Sequence, residues 1–215
     1  TVSPAKHHKS TFDNIPAEKR ERVLYTATGE FAQNGFEGAS MEVIAKKAGI
    51  SVGSLYKYFD SKEDMFITVA RHGLGKLEAF LTTLYATDED VGLKVEKIVR
   101  ETIDFSRREP DLIRLYCVLT GTGSSSPIYP IAEEMEALSA TIYRKAIIKA
   151  QKTGDVRQDI DPGFFDFLLD NLLMALQFSY ACDYYKKRYA FYGGEDIERR
   201  DDFAVEQTLK FIRAA

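Results

Sequence analysis

Apolar residues recur at steps of three and four along almost the whole of this 215-residue chain, and no window alternates apolar with polar residues long enough for a strand. That pattern commits the chain to helices. In the first of them Val23, Leu24, Ala27, Phe31 and Ala32 share one side, between a start at Pro16 and a stop at Asn34-Gly35. The same spacing, with the same kinds of start and stop residue, predicts about nine helices over 15–34, 41–48, 52–58, 61–85, 88–108, 111–120, 127–154, 162–192 and 195–213. The expected fold class is all-α. Residues 1–14 are polar and unpatterned and read as a flexible arm. Residues 15–60 then make a three-helix unit, and 61–215 a larger helical one.

Composition narrows the function classes. Hydrophobic residues at 45% and charged residues at 29% suit a folded globular chain. A protein that coats nucleic acid without sequence preference is basic, because phosphate neutralisation drives that binding, whereas this chain carries −4. Any nucleic-acid contact must come from a local patch. Cys117 and Cys182 are far apart, with no CxxC partner and no nearby His. The three His accompany no nucleophile–base set, no metal-ligand cluster and no phosphate loop, so no enzyme, cofactor or metal is expected. The first ten residues lack the apolar core of a secretory signal. The longest apolar stretch, 164–182, contains Asp166, Asp170, Asn171 and Gln177, which makes a membrane span costly. A cytoplasmic protein without a membrane partner is the expectation.

The segment 40–62 carries the most specific signal. Ser40 caps a short helix in which Val43, Ile44 and Ala48 are expected to face inward. A tight Ala48-Gly49-Ile50-Ser51 turn leads to a second short helix over 52–58. This is helix-turn-helix patterning: Gly49 takes the left-handed turn, Ile50 plugs the angle and Ser51 starts the next helix. Leu55 and Phe59 turn inward, leaving Val52, Gly53, Ser54, Tyr56 and Lys57 outward to meet base edges in a major groove. Ser40, Ser51, Tyr58 and Lys62 are placed to hold phosphates. Lys46, Lys47, Lys57 and Lys62 oppose only Glu42 and Asp60 here, a local excess of +2 in an acidic chain. Lys46 is read as a DNA contact with Lys57 and Lys62. Whether His7, His8 and Lys9 reach a minor groove or form a plain disordered arm stays open.

Across 15–65 the chain resembles the TetR family of bacterial regulators. The resemblance lies in Phe31-Ala-Gln-Asn-Gly-Phe-Glu-Gly-Ala-Ser40, Ile44-Ala-Lys-Lys-Ala-Gly-Ile-Ser51, Gly53-Ser-Leu-Tyr-Lys-Tyr-Phe59 and Lys62-Glu-Asp. It implies a homodimer on a palindromic double-stranded operator, a small-molecule effector in the C-terminal domain, and repression that the effector relieves. Helices that line the effector pocket in this family would here carry Phe105, Tyr116, Tyr143 and Phe178. Twelve Tyr and fourteen Phe without Trp suggest an apolar or aromatic effector. The apolar stretch from 164 and the last helix would form the dimer face, through Phe167, Leu168, Phe203, Leu209 and Ile212. Two alternatives remain: a sequence-specific regulator with no small-molecule ligand, and an enzyme with an appended DNA-binding head.

Overall fold

A computed structural model describes residues 6–85, 91–194 and 199–212, and these are helical with no strand. Eleven helices follow in order among the described residues: α1 (Ser10–Asp13), α2 (Ala17–Gly38), α3 (Met41–Ala48), α4 (Val52–Tyr56), α5 (Lys62–Tyr85), α6 (Val91–Arg108), α7 (Pro110–Thr120), α8 (Tyr129–Thr153), α9 (Pro162–Ala181), α10 (Asp183–Gly193) and α11 (Arg200–Ile212). α2 is itself two helices joined across a kink at Gly35 (φ 68°), which makes twelve against the nine expected. The other two additions also have local causes. Cys182 takes an extended conformation and splits the run expected over 162–192 into α9 and α10. The third, α1, lies within the segment expected as a flexible arm, because Phe12 gives that segment an apolar anchor.

The chain divides into two compact units, Thr1–Lys76 with Arg114–Glu133, and Leu77–Ile113 with Glu134–Ala215. In the first, Val23, Leu24, Ala27 and Phe31 of α2 are buried together with Met41, Ile44, Ala45 and Ala48 of α3, Leu55 of α4 and Phe59. Met65, Phe66 and Val69 of α5 are buried in the same unit. Phe66 meets Phe31 and Phe36 edge-on at 5.0 and 5.5 Å, a favoured aromatic geometry. Val43 was expected inward but lies exposed. The buried positions 41, 44, 45 and 48 form one helical stripe, and Met41 fills the place assigned to Val43.

The core of the second unit joins Ile98, Val99 and Ile103 of α6 to Phe165, Leu169, Leu173 and Leu176 of α9 and to Ala204, Val205 and Ile212 of α11. Asp161 caps α9, accepting the N–H groups of Gly163 and Phe164 at 2.9 and 3.0 Å. At the edge of this core the Arg200 guanidinium lies 4.0 Å from the ring centres of both Tyr180 and Tyr189.

Candidate nucleic-acid interface

The turn between α3 and α4 forms for reasons visible residue by residue. Ser40 Oγ accepts the Val43 N–H at 3.4 Å and donates to Glu42 Oε2 at 2.8 Å. That donated bond holds the exposed Glu42 carboxyl below its ordinary range. At the other end of α3, Gly49 adopts φ 68°, ψ 34°, the left-handed conformation that lets the helix close on its own carbonyls. Arg22 Nε of α2 donates to the Ala48 carbonyl at 3.0 Å, a second closure of the same terminus. Ser51 Oγ then accepts the Ser54 N–H at 3.1 Å and begins α4.

α4 is short, and Leu55 and Phe59 pin it from beneath with no exposed surface. Its outer side presents Ser51, Gly53, Tyr56 and Lys57, with Val52 and Ser54 half-buried beside them. Tyr56 is 45% exposed. A Cβ built on Gly53 would meet only Ser51 Oγ, at 3.9 Å. The bare backbone at Gly53 therefore answers no need of the chain's own packing, and it suits close approach by another molecule. Lys46 is exposed on α3.

Two of the expected contacts are placed otherwise. Tyr58 is only 7% exposed, its ring 5.6 Å from that of Phe12 and beneath the Lys19 ammonium at 5.7 Å, so it serves the core. Lys62 Nζ donates to the carbonyls of Glu37 and Ala39 at 2.9 and 3.3 Å and lies 5.0 Å above the Phe36 ring. It closes the C-terminal end of α2. Lys47 pairs at 3.0 Å with Glu30, a carboxylate only 4% exposed that also accepts from Asn34 Nδ2 at 3.0 Å and the Ser40 N–H at 3.4 Å. Glu30 thus ties α2 to both ends of α3.

Sequence reasoning missed Glu30, and it missed the work of the N-terminal segment. Lys9 donates its N–H to the Tyr58 carbonyl at 2.8 Å and its ammonium to the Tyr56 carbonyl at 2.9 Å. Thr11 Oγ1 donates to the Lys57 carbonyl. Three consecutive carbonyls at the end of α4 are therefore closed from 9–11, and Phe12 is buried against Phe59 at 4.8 Å. His7 Nδ1 lies 2.9 Å from Asp64 Oδ1 at the start of α5. The signal for this was present: Phe12 is the one large apolar side chain among the first fourteen residues.

Phe178 is fully buried, edge-on to Tyr185 at 5.0 Å. Phe105 and Tyr116 are half-buried, and the Tyr143 side chain lies outside the described residues. Of the expected dimer face, Phe167 is 59% exposed and stacks on the equally exposed Phe164 at 6.1 Å. Phe203 is exposed beside a groove of about 410 Å³ lined by Leu172, Leu176, Tyr189 and Phe211. Leu168 and Leu209 are half-buried. Ile212 is buried in the unit's own core and is not available to a partner. Among the described residues no helix is long and apolar enough to cross a membrane, and no three His, Cys, Asp or Glu are grouped to hold a metal ion.

Two capped helices at a left-handed Gly turn, the second with an uncovered outer face on a rigid three-helix base, define a helix-turn-helix protein. The profile of bacterial regulatory proteins of the tetR family matches residues 23–69, which are α2 from Val23 through the start of α5. The HTH-type transcriptional regulator RutR of Escherichia coli (strain K12) is 29% identical over 153 residues, 70% of each chain. YdgC of Bacillus subtilis (strain 168), an uncharacterized HTH-type transcriptional regulator, is 30% identical over 148 residues, 67% of this chain and 71% of that protein. The crystal structure of the transcriptional regulator FadR from Bacillus subtilis in complex with stearoyl-CoA has the same fold, with a TM-score of 0.70 at 15% identity over 90% of this chain and 99% of that one. The chain belongs to the tetR family of bacterial regulatory proteins, DNA-binding regulators of transcription.

Proposed function

We propose that the protein is a homodimeric repressor that sets its two α4 helices into successive major grooves of a palindromic operator and leaves when a small molecule occupies the second unit. The observation that carries this reading is the outer side of α4: Gly53, Tyr56 and Lys57 are uncovered while everything beneath them is locked. Tyr56, Val52 and Ser54 meet base edges, and Lys57 and Lys46 meet phosphates. Lys62 and Tyr58 act one step back, by fixing the helices that carry the contacts.

The dimer forms through the exposed Phe164, Phe167 and Phe203, which leave an apolar face on α9 and α11. A dimer reads two half-sites only when its α4 helices stand about 34 Å apart, one turn of the duplex. α5 begins in the first unit and ends in the second, so a ligand-dependent shift of its far half changes that spacing. A coupling of about 1–3 kcal/mol between the two sites lowers operator affinity about 5- to 150-fold. The ligand-bound relative of the same fold supports an effector for this chain as well. Selection of bound duplexes from a random library tests the reading. Inverted repeats with half-sites one turn apart are expected, and a single asymmetric motif would overturn the dimeric arrangement.

A further inference from the structure

α9 carries a line of polar residues along one side. Asp166, Asp170 and Gln177 follow at steps of four and seven residues and so share one side of the helix. That line is separate from the exposed side bearing Phe164 and Phe167 and from the core side bearing Phe165, Leu169 and Leu176. Asp166 is 4% exposed, and among the described residues its Oδ1 meets no hydrogen-bond donor. The cation that bears on it is Arg144 of α8, whose guanidinium lies beside Gly163 at the start of α9. One turn on, the charges that bear on Asp170 are both acidic: Glu136 of α8 and Asp166 itself. Burial, and for Asp170 these neighbours too, pushes each aspartate up to about 6, so both are largely ionised at neutral pH.

Among the described residues, three carboxyl groups here bear on one another and one guanidinium, that of Arg144, offsets Asp166. Like charges four residues apart on a helix repel, and a buried carboxylate without a donor is costly. Folding alone favours Asn or Leu on such a line. A buried acceptor left unpartnered is rare, and a ligand's donor is one partner that satisfies it. We propose that Asp166 and Asp170 are the polar end of the effector site and that the effector is an organic cation, an amine carried on an apolar body. The aspartates accept its N–H donors and supply the countercharge, and the apolar residues around the line receive its hydrocarbon. This rests on the ligand-responsive reading above and adds the charge of the ligand to it.

The test is isothermal titration of the full-length protein at neutral pH with two matched sets of probes: phenethylamine, phenethyl alcohol and hydrocinnamate, then dodecylamine, dodecanol and laurate. Within at least one set the amine should bind about tenfold or more tighter than its neutral and anionic counterparts, the weight of one charge-assisted hydrogen bond. Asp166→Asn with Asp170→Asn should erase that preference, leave alcohol binding as it was, and keep a folded dimer at least as heat-stable as the parent. Should the double variant not fold, Asp170→Asn alone carries the same expectation. Equal binding of all members of both sets, tighter binding of the alcohols or anions, or no binding at all would overturn the proposal. A loss of stability or of the dimer on Asn substitution would overturn it too, by making the aspartates structural. Release of selected operator by an alcohol or anion would leave the ligand-responsive reading standing while removing the cation.

Discussion

The backbone N–H of Lys9 donates to the carbonyl of Tyr58 at 2.8 Å, which puts the end of α4 under the control of a segment almost fifty residues upstream. Lys9 Nζ and Thr11 Oγ1 close the two carbonyls before it, and Phe12 is buried beneath. A helix of five residues cannot hold itself in water, so its direction depends on these closures and on Leu55. Lys9→Ala combined with Thr11→Val should lower operator affinity severalfold. It should also speed hydrogen exchange at the amides of 55–59, with little change in the melting temperature. Phe12→Ala goes further and removes a buried ring, at about 3–5 kcal/mol, and chemical denaturation should show that loss directly.

Glu30 makes a separate prediction about the α2–α3 junction. Its carboxylate is buried and is held by Lys47, Asn34 and the Ser40 N–H. Lys47→Ala takes away the one cation among these partners and should cost about 1–3 kcal/mol of folding stability. The neighbouring Lys46→Ala should leave stability alone and weaken operator binding, with a shallower salt dependence. Equal stability losses in the two variants would show that Glu30 does not depend on Lys47.

Gly53→Ala separates a packing role from a DNA-facing one. The free protein has room for the methyl group, so the helix should gain about 0.5–1 kcal/mol from the replacement. The operator has no such room, and affinity should fall about tenfold or more, the worth of one lost base-edge contact. A variant that is both more stable and a poorer binder is the expected outcome. Unchanged affinity would place α4 farther from the bases.

Stability should also vary with pH through Asp166 and Asp170. Each is raised from 3.8 to about 6 in the folded chain, so the folded state binds these protons more tightly than the unfolded one. The contribution is therefore fully present below the unfolded value and is lost as pH rises through about 6. Urea denaturation between those limits should show the parent losing stability relative to the Asp166→Asn, Asp170→Asn variant as pH increases. A difference that stays flat across the window would mean that neither aspartate is perturbed.

The elements were legible where a local rule decides them. The caps Ser40 and Ser51 and the turn at Gly49 depend on residues within four positions, and the structure forms them as the sequence predicts. Leu55 and Phe59 were legible as the inward positions of the second helix for the same reason. What was not legible depends on distant residues. Lys62 reads as a free cation until α2 ends beside it and offers the carbonyls of Glu37 and Ala39. Tyr58 reads as a surface phenol until Phe12 covers it. Residues 6–14 look unpatterned because α1, a single turn, is the only helix among them, and periodicity needs a longer stretch to register. On α9 the spacing of Asp166, Asp170 and Gln177 was visible in the sequence. The burial of Asp166, and the missing donor at its Oδ1, required the folded structure.

The central claim is that the outer side of α4 reads DNA. Fluorescence anisotropy of the protein against its own upstream DNA, over a salt series and with scrambled duplex as competitor, tests it most directly. The account predicts tight binding to one palindromic segment that resists scrambled competitor and is lost in Tyr56→Ala and in Lys57→Ala, both of which should melt as the parent does. Binding that is weak, indifferent to sequence and untouched by those two substitutions would contradict it.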